Sequence, residues 1–199
     1  MNTHDTTLPT PSTRTTARVV GTLFLAAFLL YGVGNAIASN STQGDGMLVL
    51  GVGMMLANSF AVLTIGVLLV PILRPHSPAV AKIYLATRIF EAAFLAAGAI
   101  ALLVGSAAVN VVAYNTAMAG LGIGSLFFTV VLYRSRLVPR FLAAWGFVGY
   151  AAFATGSLLE LAGVSGAGLI GAAPGGLFEI VFALWLLVRG FTTTDGTTS

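Results

Sequence analysis

Three side chains could do chemistry that their surroundings do not invite. Arg88 and Glu91 lie inside the apolar stretch Arg88-Ile89-Phe90-Glu91-Ala92-Ala93-Phe94-Leu95, and Glu179 lies inside Phe178-Glu179-Ile180-Val181-Phe182. An ionised side chain at the centre of a membrane helix costs about 2.5–3.5 kcal/mol on insertion scales, so each needs a partner or a task. A lone cation can neutralise one of the two carboxylates, and the other is left to bind a proton, the pair titrating as a unit. Such a set suits a small proton- or cation-coupled transporter or permease working through Glu91 and Glu179. It equally suits a scaffold or accessory protein in which a static ion-pair knot fixes helix packing, and that is the primary expectation.

Other chemistry is scarce. The chain has no cysteine, which excludes disulfides, thiolate metal sites and cysteine nucleophiles. The histidines are His4, near the N-terminus, and His76, in the turn Arg74-Pro75-His76-Ser77-Pro78, so imidazoles cannot build a metal site between apolar helices. Gly166-Ala167-Gly168-Leu169-Ile170-Gly171 has the GxGxxG spacing, but it falls in a connection between apolar runs, where that pattern has no preceding strand to work with. No HExxH or GxSxG motif occurs. No catalytic residue, metal site or cofactor is expected, and the chain is not expected to be an enzyme.

The elements that must hold Arg88 and the glutamates are set by composition. Of 199 residues, 57% are hydrophobic and 8% charged, with mean hydropathy +0.97. A soluble domain carries about 25% charged residues, so a soluble fold is excluded. Apolar runs lie at about 17–39, 47–72, 79–104, 112–133, 141–163 and 174–191, each near the roughly 20 residues that span a bilayer. The expected fold is all-α, a polytopic bundle of six transmembrane helices forming one domain over residues 17–191. Residues 1–16, rich in Thr and Pro, are expected to be a disordered tail and 192–199 a flexible one. The first run has a rival reading as a cleaved secretory signal, but its apolar core from Val19 to Val33 is long for one, which favours a retained helix.

Of the nine Lys and Arg behind the net charge of +3, eight are scattered at the ends of apolar runs, where they are topology signals and no nucleic-acid footprint. Arg14, Arg18, Arg74, Lys82, Arg134, Arg136, Arg140 and Arg189 all fall on one side of six crossings. The positive-inside rule then puts both termini in the cytoplasm of a multi-pass cell-membrane protein. Arg134, Arg136 and Arg140 form the densest basic loop, a topology anchor that can also contact anionic lipid head groups at about 1 kcal/mol per basic residue. Arg88 is the basic residue left over.

At about 1.5 Å per residue, Arg88 lies roughly 13 Å from the cytoplasmic end of its helix, Glu91 roughly 18 Å and Glu179 roughly 16 Å. Arg88 and Glu91, three apart, share a helix face and can pair. The expected midplane polar cluster is therefore Arg88, Glu91, Glu179 and Asn58, with Tyr84 and Thr87 just toward the cytoplasm. Glu160 is excluded, since it lies near the outer end of the fifth run and can reach the interface. Phe90-Glu91-Ala92-Ala93-Phe94 and Phe178-Glu179-Ile180-Val181-Phe182 share the pattern FExxF. In two three-helix halves of opposite orientation this would be an inverted repeat, the plan of many secondary transporters; in a chain rich in Phe and Leu a chance match is the favoured reading, since the first and second runs do not match the fourth and fifth.

The turn Arg74 to Pro78, the segment Arg88 to Ala92, the loop Tyr133-Arg134-Ser135-Arg136-Leu137-Val138-Pro139-Arg140 running to Trp145-Gly146, and the ending from Phe178-Glu179 to Gly190-Phe191 resemble a bacterial family, the domain of unknown function numbered four-three-eight-six. The likeness runs from about Ala17 to Phe191. It implies a multi-helix integral membrane protein and carries no activity or cofactor with it.

Overall fold

A computed structural model describes residues 13–192, so the tail expectations for 1–12 and 193–199 lie outside the described residues. The six helices are α1 (Thr13–Ser39), α2 (Gly46–Leu73), α3 (Pro78–Leu103), α4 (Ala107–Ser135), α5 (Arg140–Leu161) and α6 (Ala167–Val188). All six are long and apolar enough to cross a membrane. The expected bundle is the observed one, with corrections at the ends. Helix α1 begins at Thr13, so residues 13–16 are helical where a disordered tail was expected. Helix α6 begins at Ala167 and carries Pro174 inside it, so the GxGxxG stretch opens a membrane helix. The sixth run was expected from residue 174, but a membrane helix tolerates an internal proline when neighbouring helices support the freed backbone groups.

Local chemistry ends and restarts the helices. The Asp45 side chain accepts from the Met47 N–H at 2.9 Å to open α2. Ser77 caps α3 through the Val80 N–H at 3.3 Å, and Pro78 occupies the first helical turn, where a missing N–H costs nothing. Arg136 closes α4 in the left-handed conformation at φ 55°.

Each helix packs on its predecessor and successor, and α1 packs on α6, so the six form a closed ring whose loosest seam is α1 against α6. Short connections turn the chain back five times, so neighbours are antiparallel and both described ends lie at one end of the bundle. There Phe191 and Ala17 join Leu73, Leu137 and Val138 in the core, and the Thr192 N–H donates to the Leu137 carbonyl at 2.9 Å. This ring order rules out the inverted repeat. A two-fold axis in the membrane plane reverses helix direction and also the sense in which the ring is traversed. Matching α1–α2–α3 onto α4–α5–α6 reverses direction while keeping the sense, which no rotation of a chiral chain achieves. The FExxF phenylalanines are inequivalent as well: Phe90 is 39% exposed and Phe178 fully buried.

The core is largely apolar, but so is the exterior, with Phe60 72% exposed, while Arg88 is 1% exposed. Small residues bring the backbones together, as packing in lipid demands. A Cβ on Gly122 of α4 would sit 2.6 Å from both the Ala154 nitrogen and the Tyr150 oxygen of α5, whereas one on Gly53 meets nothing within 4 Å. Gly122→Ala is therefore expected to destabilise the folded bundle by about 1–3 kcal/mol. Gly53→Ala should be neutral or slightly stabilising. Thermal unfolding of the two variants in the same detergent checks both.

Candidate functional site

The site grows from one face of α3. Tyr84, Arg88 and Glu91 follow at helical spacing, so one side chain reaches backward and another forward to the same guanidinium. Arg88 Nε and Nη2 donate to the Tyr84 hydroxyl at 2.9 and 2.7 Å. Its Nη1 donates to Glu91 Oε2 at 2.8 Å, a buried charge-assisted bond. Glu179 arrives from α6, its Oε1 lying 3.8 Å from Arg88 Nη2, an ion pair rather than a hydrogen bond. The Tyr150 hydroxyl of α5 donates to that same Oε1 at 2.8 Å. The guanidinium carbon stands 5.1 Å from the ring centres of both Phe24 and Tyr84, within cation–π range.

Neighbouring helices make room for this face. A Cβ on Gly66 of α2 would lie 2.7 Å from Arg88 Cβ, and one on Gly124 of α4 would collide with Thr87. An aromatic chain then links the two tyrosines that hold the ions. Tyr84 stacks on Phe128 at 4.5 Å, Phe128 meets Phe182 edge-on at 6.0 Å, Phe182 stacks on Phe178 at 5.5 Å, and Phe178 meets Tyr150 at 5.5 Å.

A cavity of about 220 Å³ opens beside the ions, and all six helices line it. Arg88, Glu91, Glu179 and Asn58 all face it, together with Tyr31 and Tyr114, whose rings stack at 5.2 Å. Of the expected cluster, Arg88, Glu91 and Glu179 are brought into ionic contact, while Asn58 shares the cavity without hydrogen-bonding to any of them.

The remaining charged residues have local tasks. Glu160 Oε2 accepts from the Gly168 N–H at 2.9 Å, satisfying a donor in the first turn of α6, which has no side-chain cap of its own. Arg140 stands 5.2 Å above the Tyr133 ring, Arg136 terminates α4, and Arg134 lies in its last turn, where a cation meets the negative end of the helix. Among the described residues no group of His, Asp and Glu could hold a metal ion.

Tyr150 and Phe24 were not anticipated from the sequence. Tyr150 had a signal: a tyrosine in mid-helix, far from the interfacial belt, must find a partner for its hydroxyl. Phe24 had none, being one phenylalanine among 13.

A ring of apolar helices closed around an ion-paired Arg–Glu–Glu set defines a polytopic helical membrane protein. The chain belongs to the domain-of-unknown-function family DUF4386, whose model matches residues 17–190. No curated protein and no solved structure matches it.

Removing Arg88 strands two acids in the interior. Arg88→Gln is expected to destabilise the bundle by about 3–5 kcal/mol, and neutralising both acids in the same chain should recover part of that loss. Tyr150→Phe should cost only about 0.6–1.7 kcal/mol, the range of interhelical hydrogen bonds in membranes. Denaturant titration of the four proteins in mixed micelles ranks them, and an unaffected Arg88→Gln would contradict the assignment.

Proposed function

We propose that this chain is a scaffold or accessory helix bundle of the cell membrane, in which Arg88, Glu91 and Glu179 form a midplane cluster that specifies which helices pack together. The observation that carries this is the saturation of Arg88: all three of its side-chain nitrogens are engaged, and the residue is 1% exposed. A buried polar set of this kind disfavours rival helix arrangements, because each would leave a charge unpaired. The proposal includes both termini in the cytoplasm, from the distribution of Lys and Arg, with the Arg134–Arg136–Arg140 loop against anionic head groups. Reporter fusions to residue 199 and to the 104–106 connection should report cytoplasmic and external locations respectively; the reverse pattern would invert the bundle.

A second reading, proton- or cation-coupled transport through Glu91 and Glu179, is favoured by one observation, the cavity that reaches both carboxylates. The two readings part in liposomes. With the protein reconstituted beside a pH-sensitive dye, the packing role predicts no proton or cation flux above empty liposomes, and a marked fall in unfolding temperature for Glu179→Gln. Flux that Glu179→Gln abolishes without loss of stability would instead establish transport.

A further inference from the structure

The cavity beside the ion cluster is incompletely used by the protein's own groups. Glu91 employs Oε2 toward Arg88, and Glu179 employs Oε1 toward Tyr150 and Arg88. The second oxygen of each carboxylate has no hydrogen-bond partner among the described residues, and both residues line the cavity. A separate observation comes from α2. Asn58 is 3% exposed and lines the same space, yet its side chain makes no hydrogen bond among the described residues. Its amide is not among the sealed polar atoms of the interior, so it opens onto the cavity, where a ligand's polar group can reach it.

The charges facing this space sum to one positive and two negative, so an added cation balances them and an added anion does not. The rest of the lining is apolar and aromatic: Phe28, Val62, Met118 and Phe153, with the stacked Tyr31 and Tyr114. Aromatic faces beside carboxylates are the surroundings in which organic ammonium groups are held. About 150 Å³ of dry cavity is enough for benzene, so about 220 Å³ admits a single ring bearing an aminomethyl group. We propose that this cavity is a binding site for a small lipophilic ammonium cation. Its N–H groups donate to the free oxygens of Glu91 and Glu179 and to the Asn58 carbonyl, and its apolar body lies among the aromatic rings.

The approach is from the end of the bundle whose connections lack Lys and Arg. A second cavity there, about 260 Å³, is lined by Asn35, Asn110 and Asn115 and shares Tyr31, Gly32 and Tyr114 with the first. Asn110 Nδ2 donates to Asn35 Oδ1 at 3.1 Å there, so polar side chains also line the way in. The basic end is occupied by aromatic packing around Tyr84, Phe128 and Phe182. The binding site goes beyond the packing role and stands or falls independently of any flux.

The test uses the full chain in nanodiscs, with Trp145 and Trp185 fluorescence reporting thermal unfolding and protein-free nanodiscs correcting for partitioning. Benzylammonium, benzyl alcohol and benzoate are titrated against the parent, Asn58→Leu and Glu179→Gln. Benzylammonium is expected to raise the unfolding temperature saturably and beyond either analogue, because a ligand that binds only the folded state stabilises it. Its half-saturating concentration should rise about tenfold in at least one folded variant, the loss of one good polar contact. Equal stabilisation by benzyl alcohol would make the cavity a plain apolar hole, and a preference for benzoate would make Arg88 the recognising group; either overturns the proposal. So does the absence of any saturable shift, or an unchanged half-saturation in both variants. Should neither variant fold, the ranking of the three ligands on the parent decides.

Discussion

The burial of Arg88 is the constraint on which the rest of the arrangement depends. A guanidinium cannot shed its charge in a protein, so an interior that contains one must supply acceptors from several directions. Glu91 and Tyr84 come with the same helix, but Glu179 comes from α6 and the Phe24 ring from α1. The stem of Arg88 passes so close to α2 that a glycine, Gly66, stands there. Four helices are thus positioned relative to one side chain. Ring closure between α1 and α6, where direct packing is weakest, draws on the same group, because Phe24 and Glu179 approach it from either side of that seam.

The architecture was readable because bilayer thickness leaves little choice of helix length, and because Lys and Arg mark one set of connections. Helix ends were less readable for local reasons. Pro174 resembles a helix start and is an interior residue, and Thr13 to Thr16 carry no apolar signal although they are helical. The ionic contacts of Arg88 with Glu91 and Glu179 followed from spacing and depth. Asn58 shows the limit of depth alone, since a residue at the right level can share the cavity and still form no bond with the ions. Tyr150 lies in a helix whose charges, Arg140 and Glu160, stand at its two ends, and its pairing with Glu179 depends on how α5 and α6 rotate about their axes, which close contacts such as Gly149 on Gly175 set. Rotation of that kind is a property of the packed pair and is absent from either sequence stretch taken singly.

The repeated FExxF pattern carries a related lesson. Two identical short patterns on antiparallel helices suggest duplication, yet a closed ring visited in chain order cannot hold two inverted halves, whatever the sequences say. The equivalent positions differ physically: Phe178 joins the aromatic chain to Tyr150, whereas Phe90 packs beside Phe94 and is partly exposed. Topology here is stronger evidence than motif.

The order of the helices around the ring also bears on how the chain enters the bilayer. Each new helix meets its predecessor as it emerges, so most of the ring is built from contacts between elements synthesised one after the other. Arg88 and Glu91, three residues apart on α3, cross the membrane as a self-neutralised pair, and the helix enters without an unmatched charge. Glu179 has no such companion on α6; its counter-ion was laid down about ninety residues earlier, and Tyr150 one helix before. The last helix therefore inserts carrying a carboxyl that only an already assembled ring can receive. Completion of the bundle is then a checkpoint: a chain whose first five helices have not gathered around Arg88 offers the sixth nowhere to put its acid.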